Sequence, residues 1–147
     1  MAVFADTSAG VKRYLDEPGA DLVRTMPDLL LSALTRVELP SAIWRKERDG
    51  VLSLDEVGDV LDAFIVDWHG TPTREPAVAV IALDGPVLVR AAQLTGLHGL
   101  RAGDAIQLAS ALTGRRADPT ITDFVCFDRR LREAAAREGF RLVPAEL

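Results

Sequence analysis

AVFADTSAGVKRYLDE, residues 2–17, changes its hydrophobic period within a few positions. The apolar run Ala2 to Ala5 ends on Asp6 and reads as a strand, after which Val11, Tyr14 and Leu15 recur at helical spacing. The same unit of strand then helix returns along the chain. DLLLSAL (28–34) reads as a buried strand, and a helix runs from Thr35 toward Gly50 with Val37, Leu39, Ile43 and Trp44 as its inner face. Pro40 falls early enough in that helix to be tolerated. AVAVIAL (77–83) reads as a strand, followed by a helix over Pro86 to Thr95 and a turn at Gly96 to Gly99. ITDFVCF (121–127) reads as a strand, DRRLREAAAREG as a helix closed by Gly139, and FRLV as a last short strand. Further helices are expected at Ala20 to Met26, after Ser53 with its reciprocal partner Glu56, and from Ala102 to Leu112, with GTPTREP (70–76) as a loop. Strands alternating with helices predict an α/β fold, a three-layer α/β/α sandwich around a mainly parallel, Rossmann-like sheet.

At 147 residues the chain suits one domain spanning 1–147, with no linker or repeat. Hydrophobic residues make up 48% and aromatics 5%, which predicts an aliphatic core rather than one of stacked rings. A single cysteine, Cys126, excludes an internal disulfide, and with only His69 and His98 there is no zinc-type grouping. The N-terminus lacks the organisation of a secretory signal and no apolar run approaches a membrane span, so a soluble, cytoplasmic protein is expected. The formal charge of −5, from 17 basic and 22 acidic residues, argues at face value against nucleic acid. If four acids hold divalent ions, the remainder is 17 − 18 = −1, and the charge decides nothing.

The acids carry the chemistry. Asp6 and Asp128 each end a strand and precede a helix, so in a parallel sheet both fall on the carboxyl edge, where open α/β folds bind ligands. Asp104 and Glu38 lie near the starts of their helices and can face the same crevice. Each acid also has a plainer role: Asp6 or Asp128 as a helix cap, Asp104 as a partner of the helix dipole. Glu38, set among Val37, Leu39 and Ile43, is harder to account for as a solvated residue. Asp123 competes with Asp128, but five extended residues span about 16 Å, which puts Asp123 at the opposite edge. Clustered carboxylates repel unless a cation intervenes, and magnesium or manganese suits them, leaving room for a phosphate oxygen and an attacking water. The implied chemistry is in-line hydrolysis of a phosphodiester.

In order, VFADTSAGVKRYL, TRVEL, LRAGDAIQLASAL and FVCFDRRLREAA resemble the PIN-domain family, most closely its VapC-type toxins, over nearly the whole chain. The resemblance implies a PIN-like sandwich with Asp6, Glu38, Asp104 and Asp128 as its acidic cluster. Asp6, Asp104 and Asp128 would hold magnesium or manganese. It further implies cleavage of structured RNA such as transfer RNA, a homodimer, and an antitoxin that lays an apolar helix and a basic tail over the site. Thr7 and Ser8 match the family's opening motif and can bond the site's groups or cap a helix. Cys126 departs from the Thr, Ser or Asn often found two residues before the last acid, and a thiol is a weak donor. Lys12, Arg13, Arg101, Arg129, Arg130 and Arg132 are candidate RNA contacts near the crevice, each with a solvated helix face as its plainer fate. Trp44 and Trp68 could stack a base but are expected to pack, and neither histidine has a partner that makes it a base. A haloacid-dehalogenase-like phosphatase would need a second Asp where Ser8 stands. The alternative from another class is a non-catalytic acidic interaction module of the same fold, separated from the enzyme by calorimetry with magnesium or manganese.

Overall fold

The computed structural model describes residues 1–147. In chain order the elements are β1 (Val3–Ala5), α1 (Thr7–Lys12), α2 (Ala20–Arg24), β2 (Leu29–Ser32), α3 (Thr35–Arg48), α4 (Leu54–His69), β3 (Val78–Ile81), α5 (Gly85–His98), α6 (Ala102–Ala117), β4 (Asp123–Val125), α7 (Arg129–Arg137) and β5 (Arg141–Val143). The strands form one five-stranded sheet in the order β3-β2-β1-β4-β5, with every pairing parallel. The chain steps outward from β1 through β2 to β3, then crosses back to lay β4 on the other side of β1. The order therefore reverses between β1 and β4, and beyond the carboxyl ends of these two strands lies the switch point at which open α/β sheets bind ligands.

Side chains alternate across the sheet. Phe4, Leu30 and Phe124 point to one face, where they meet Val87, Ala91 and Leu94 of α5, Leu108 and Ala111 of α6, and Leu131 and Ala134 of α7. Ala5, Leu29, Leu31 and Val125 point to the other and cover Ala9 and Val23. Val11, Leu39, Ile43, Val57 and Phe64 join α1, α3 and α4 in a third cluster. The three-layer expectation holds, and no helix is long and apolar enough to cross a membrane.

The core is mainly Ala, Val, Leu and Ile, as composition predicts, but its few rings gather where none were expected to stack. Phe4 and Phe124 stack with ring centroids 5.2 Å apart, and Phe140 continues the stack 5.5 Å from Phe124. A small aromatic share sets how many rings there are, not where they gather. The inner face of α3 is also narrower than expected: Leu39 and Ile43 are buried, whereas Val37 and Trp44 are exposed. Trp68 packs edge-on against Phe64, as expected. Strands β1 and β4 keep only three residues each, α1 stops at Lys12, α5 continues to His98 and α6 to Ala117. Gly114 lets α6 press on the sheet, since a Cβ there would stand 2.6 Å from Leu30 Cδ2.

Candidate active site

Asp6 follows the last residue of β1, and its N–H bonds Val125 O of β4 at 3.1 Å, so it sits at the point of reversal. It is the N-cap of α1: its Oδ1 accepts the Ala9 N–H at 3.1 Å and the Ser8 hydroxyl at 2.7 Å. The plainer capping role is thus fulfilled, but it leaves the carboxyl almost without solvent, at 4% exposure. Burial pushes its pKa up to about 6, against the lowering effect of the Ser8 and Ala9 hydrogen bonds.

Asp128 lies three residues beyond β4 and caps α7, accepting the Leu131 N–H at 2.9 Å, with its side chain exposed. Asp123 starts β4 and is held by Arg141 at 2.6 and 2.7 Å, at the other end of the sheet. Ser8 joins the two central strands: besides donating to Asp6, it accepts the Phe127 N–H at 2.9 Å. Cys126, fully buried, accepts the Asp128 N–H on its sulfur at 3.3 Å. Burial, then the charge of Asp6, drives its thiol pKa upward, so the sulfur stays a neutral spacer between the two acids.

Asp104, in the first turn of α6, has its pKa raised by burial first, then by the charges of Asp128 and Glu38. Arg101 and Arg130 pull it partly back. Glu38, in the first turn of α3, is not in the apolar setting the sequence suggested. Its Oε1 accepts from Thr7 Oγ1 at 2.9 Å and from Gln107 Nε2 at 2.7 Å. Its Oε2 faces Gly103, where a Cβ would come within 3.1 Å. Gln107 was not singled out from the sequence. The available signal was a lone amide inside the otherwise small and apolar run AIQLASAL.

The structure thus brings Asp104 into electrostatic contact with Asp128 and Glu38, and links Asp6 to the same edge through Ser8 and Cys126. It does not close them into a cage: no three acidic, His or Cys side chains converge on one point. An all-carboxylate set with desolvated, mutually repelling members nonetheless fits a hard divalent ion. Magnesium binds through one or two carboxylates and keeps several waters, so it does not require such a cage.

Three of the six basic candidates are used inside the protein. Arg132, 5% exposed, donates to Cys126 O at 2.9 Å, Pro144 O at 2.7 Å and Ala145 O at 3.0 Å, and so pins the C-terminal segment instead of meeting RNA. Arg13 pairs with Asp67 at 2.9 Å, and Lys12 binds Glu17 at 3.0 Å while lying over the Phe127 ring. Arg101, Arg129 and Arg130 remain exposed, with Arg130 donating to Gly99 O at 3.2 Å. His98 does have a partner, Glu138 at 2.8 Å, the residue that ends α7.

A parallel sandwich with acids gathered beyond its switch point has the architecture of a PIN-type nuclease. No family model matches the chain. Ribonuclease VapC49 of Mycobacterium tuberculosis is 33% identical over 149 residues, spanning 99% of this chain and 96% of that protein. Among solved structures, M. tuberculosis VapC20, described as a sarcin–ricin loop cleaving toxin, superposes with a TM-score of 0.62 at 15% identity, over 94% of this chain and 95% of that one. A toxin–antitoxin complex from Klebsiella pneumoniae gives 0.58 at 15% identity, over 100% and 96%. The chain belongs to the VapC family of PIN-domain ribonucleases, the toxins of toxin–antitoxin pairs.

Proposed function

We propose that this ribonuclease is a magnesium- or manganese-dependent endonuclease that cuts structured RNA, transfer or ribosomal, in the cytoplasm. In this reading it works as a homodimer and is held inactive by a cognate antitoxin. The observation that carries the reading is the electrostatic state of the crevice. Asp6 is driven up to about 6 by burial, and Asp104 is raised by burial and by Asp128 and Glu38, at the edge where this sheet presents ligands. Acids placed at such a cost to their ionised forms await positive charge.

Asp6, Asp104 and Asp128 are the residues that would hold the ion. When bound, it supplies the positive charge that draws a phosphate in and makes water nucleophilic at neutral pH. The chain's own groups do the rest. Glu38 is anchored through Oε1 and keeps Oε2 without a hydrogen bond from the protein, so it can accept the proton of the attacking water. Ser8 fixes the Asp6 carboxyl, and Cys126 excludes water behind it. Arg101 and Arg130 stand close enough to Asp104 to affect its titration, and they can take the phosphates that flank the cut. The VapC20 description supports the choice of structured RNA, and the Klebsiella complex supports the antitoxin partner.

The test is cleavage of total RNA, with and without magnesium, by the wild type and by Asp6→Asn and Asp104→Asn, together with growth inhibition on induction. Both variants are expected to be inactive in both assays. Undiminished magnesium-dependent cleavage in both refutes the assignment.

A further inference from the structure

Gln107 is a buried amide that spends its polarity on one end. It lies on α6, at 2% exposure. Its Nε2 faces Glu38 Oε1 at 2.7 Å, Thr7 Oγ1 at 2.9 Å and Thr35 Oγ1 at 3.2 Å. Its Oε1 is buried with no partner. An amide nitrogen has two hydrogens, so three acceptors exceed its supply while the carbonyl end goes unused. In a packed interior such an imbalance persists only if the reverse orientation is worse. Here it is worse, because turning the amide would set Oε1 against the Glu38 carboxylate, which has no hydrogen to give.

The Thr7 hydroxyl completes the clamp. It donates to the same Glu38 oxygen at 2.9 Å and lies 3.2 Å from the Thr35 hydroxyl. Two elements therefore meet on one carboxylate oxygen, Thr7 from the start of α1 and Gln107 from α6, with Thr35 of α3 bonded to both of them. The other oxygen, Oε2, is left beside Gly103 and next in sequence to Asp104. Gln107 itself reaches neither the crevice nor solvent, so any effect it has on the reaction passes through Glu38.

We infer that Gln107 is a positioning residue that, with Thr7, clamps one oxygen of Glu38 and so presents the other to the attacking water. This rests on the catalytic placement of Glu38 proposed above. A carboxylate freed from its clamp still occupies the crevice but is seldom aligned, and misplacement by about 1 Å can cost on the order of 100-fold in rate. The loss belongs to kcat, since substrate binding does not involve the clamp.

A double-mutant cycle on cleavage of an RNA substrate in saturating magnesium tests it, using Gln107→Met, Glu38→Ala and the double variant, with folding checked by thermal unfolding. Gln107→Met is expected to lower kcat by about 10- to 100-fold with KM little changed. In the Glu38→Ala background it should lower kcat no further, whereas a purely structural residue would reduce activity in both backgrounds. An equal loss in both backgrounds, or no loss in the wild type, overturns the inference. Full activity in Glu38→Ala alone overturns the role of Glu38 itself, a result visible without any Gln107 variant. Gln107→Leu, also without an amide, replaces the Met variant if that one does not fold.

Discussion

Asp6→Asn should make the metal-free protein more stable while abolishing its activity, and the gain should depend on pH. Burial lifts the Asp6 pKa from 3.8 to about 6, so the fold prefers the neutral carboxyl. The folded pKa lies above the unfolded one, so the contribution is fully present below about 4. It is lost as pH rises through 6. The difference of about 2 pKa units corresponds to ~3 kcal/mol of destabilisation at neutral pH. Asparagine keeps an oxygen to accept from Ala9 N–H and Ser8 Oγ and carries no charge. Its NH2 must still be housed beside the Cys126 sulfur, so a net gain of about 2 kcal/mol is expected above pH 7, roughly 4–8 °C in melting temperature for a chain of this size. Thermal unfolding followed by circular dichroism in EDTA, from pH 4 to 8, measures it. The wild-type and variant curves should meet near pH 4, separate between 4 and 6, and run parallel above 6. Magnesium should close the gap by stabilising the wild type alone. A variant that is no more stable than the wild type at pH 7.5, or a gap independent of pH, refutes the reasoning.

Removal of the Arg132 guanidinium in Arg132→Met leaves three carbonyls without their donor, and should cost about 2–3 kcal/mol in urea unfolding with RNA affinity of the folded protein unchanged. The exposed Arg101 and Arg130 should behave oppositely: alanine at both leaves stability within about 0.5 kcal/mol but weakens RNA binding and flattens its salt dependence, measured by fluorescence anisotropy across a potassium chloride series. Gly103→Ala would place a methyl 3.1 Å from Glu38 Oε2. Cleavage should fall while melting temperature holds or rises, because alanine favours the helix by up to about 1 kcal/mol.

The alternation of strand and helix was legible because the hydrophobic period changes abruptly, as at Asp6, and because Ser53 and Glu56 form the reciprocal cap their spacing announces. Strand lengths were not, since ITDFVCF is β-prone throughout while pairing extends only over Asp123–Val125. Val37 fits the helical period of Leu39 and Ile43 by its apolar character, yet α3 buries too narrow a stripe to include it. Within the site, Asp6 and Asp128 could be placed from strand ends alone, whereas Glu38 and Asp104 needed the family resemblance. Gln107 was hidden because a glutamine on a helix is ordinarily solvated. Its burial follows from α6 packing against the ends of α1 and α3, a contact no local pattern encodes. Arg132 was misread for the same reason: an amphipathic helix shows which face is polar, but not that the C-terminal segment will fold over it.

The Ser8 hydroxyl takes the Phe127 N–H from a residue 119 positions away, and β1 finds its second neighbour only in β4. A chain emerging from the ribosome therefore carries Asp6 and Glu38 for most of its synthesis without the strand that leads to Asp128 and completes the crevice. For a protein whose activity is directed at RNA, the order of the strands acts as a timing device. The blade is assembled last, when the nascent chain is about to leave the machine that made it.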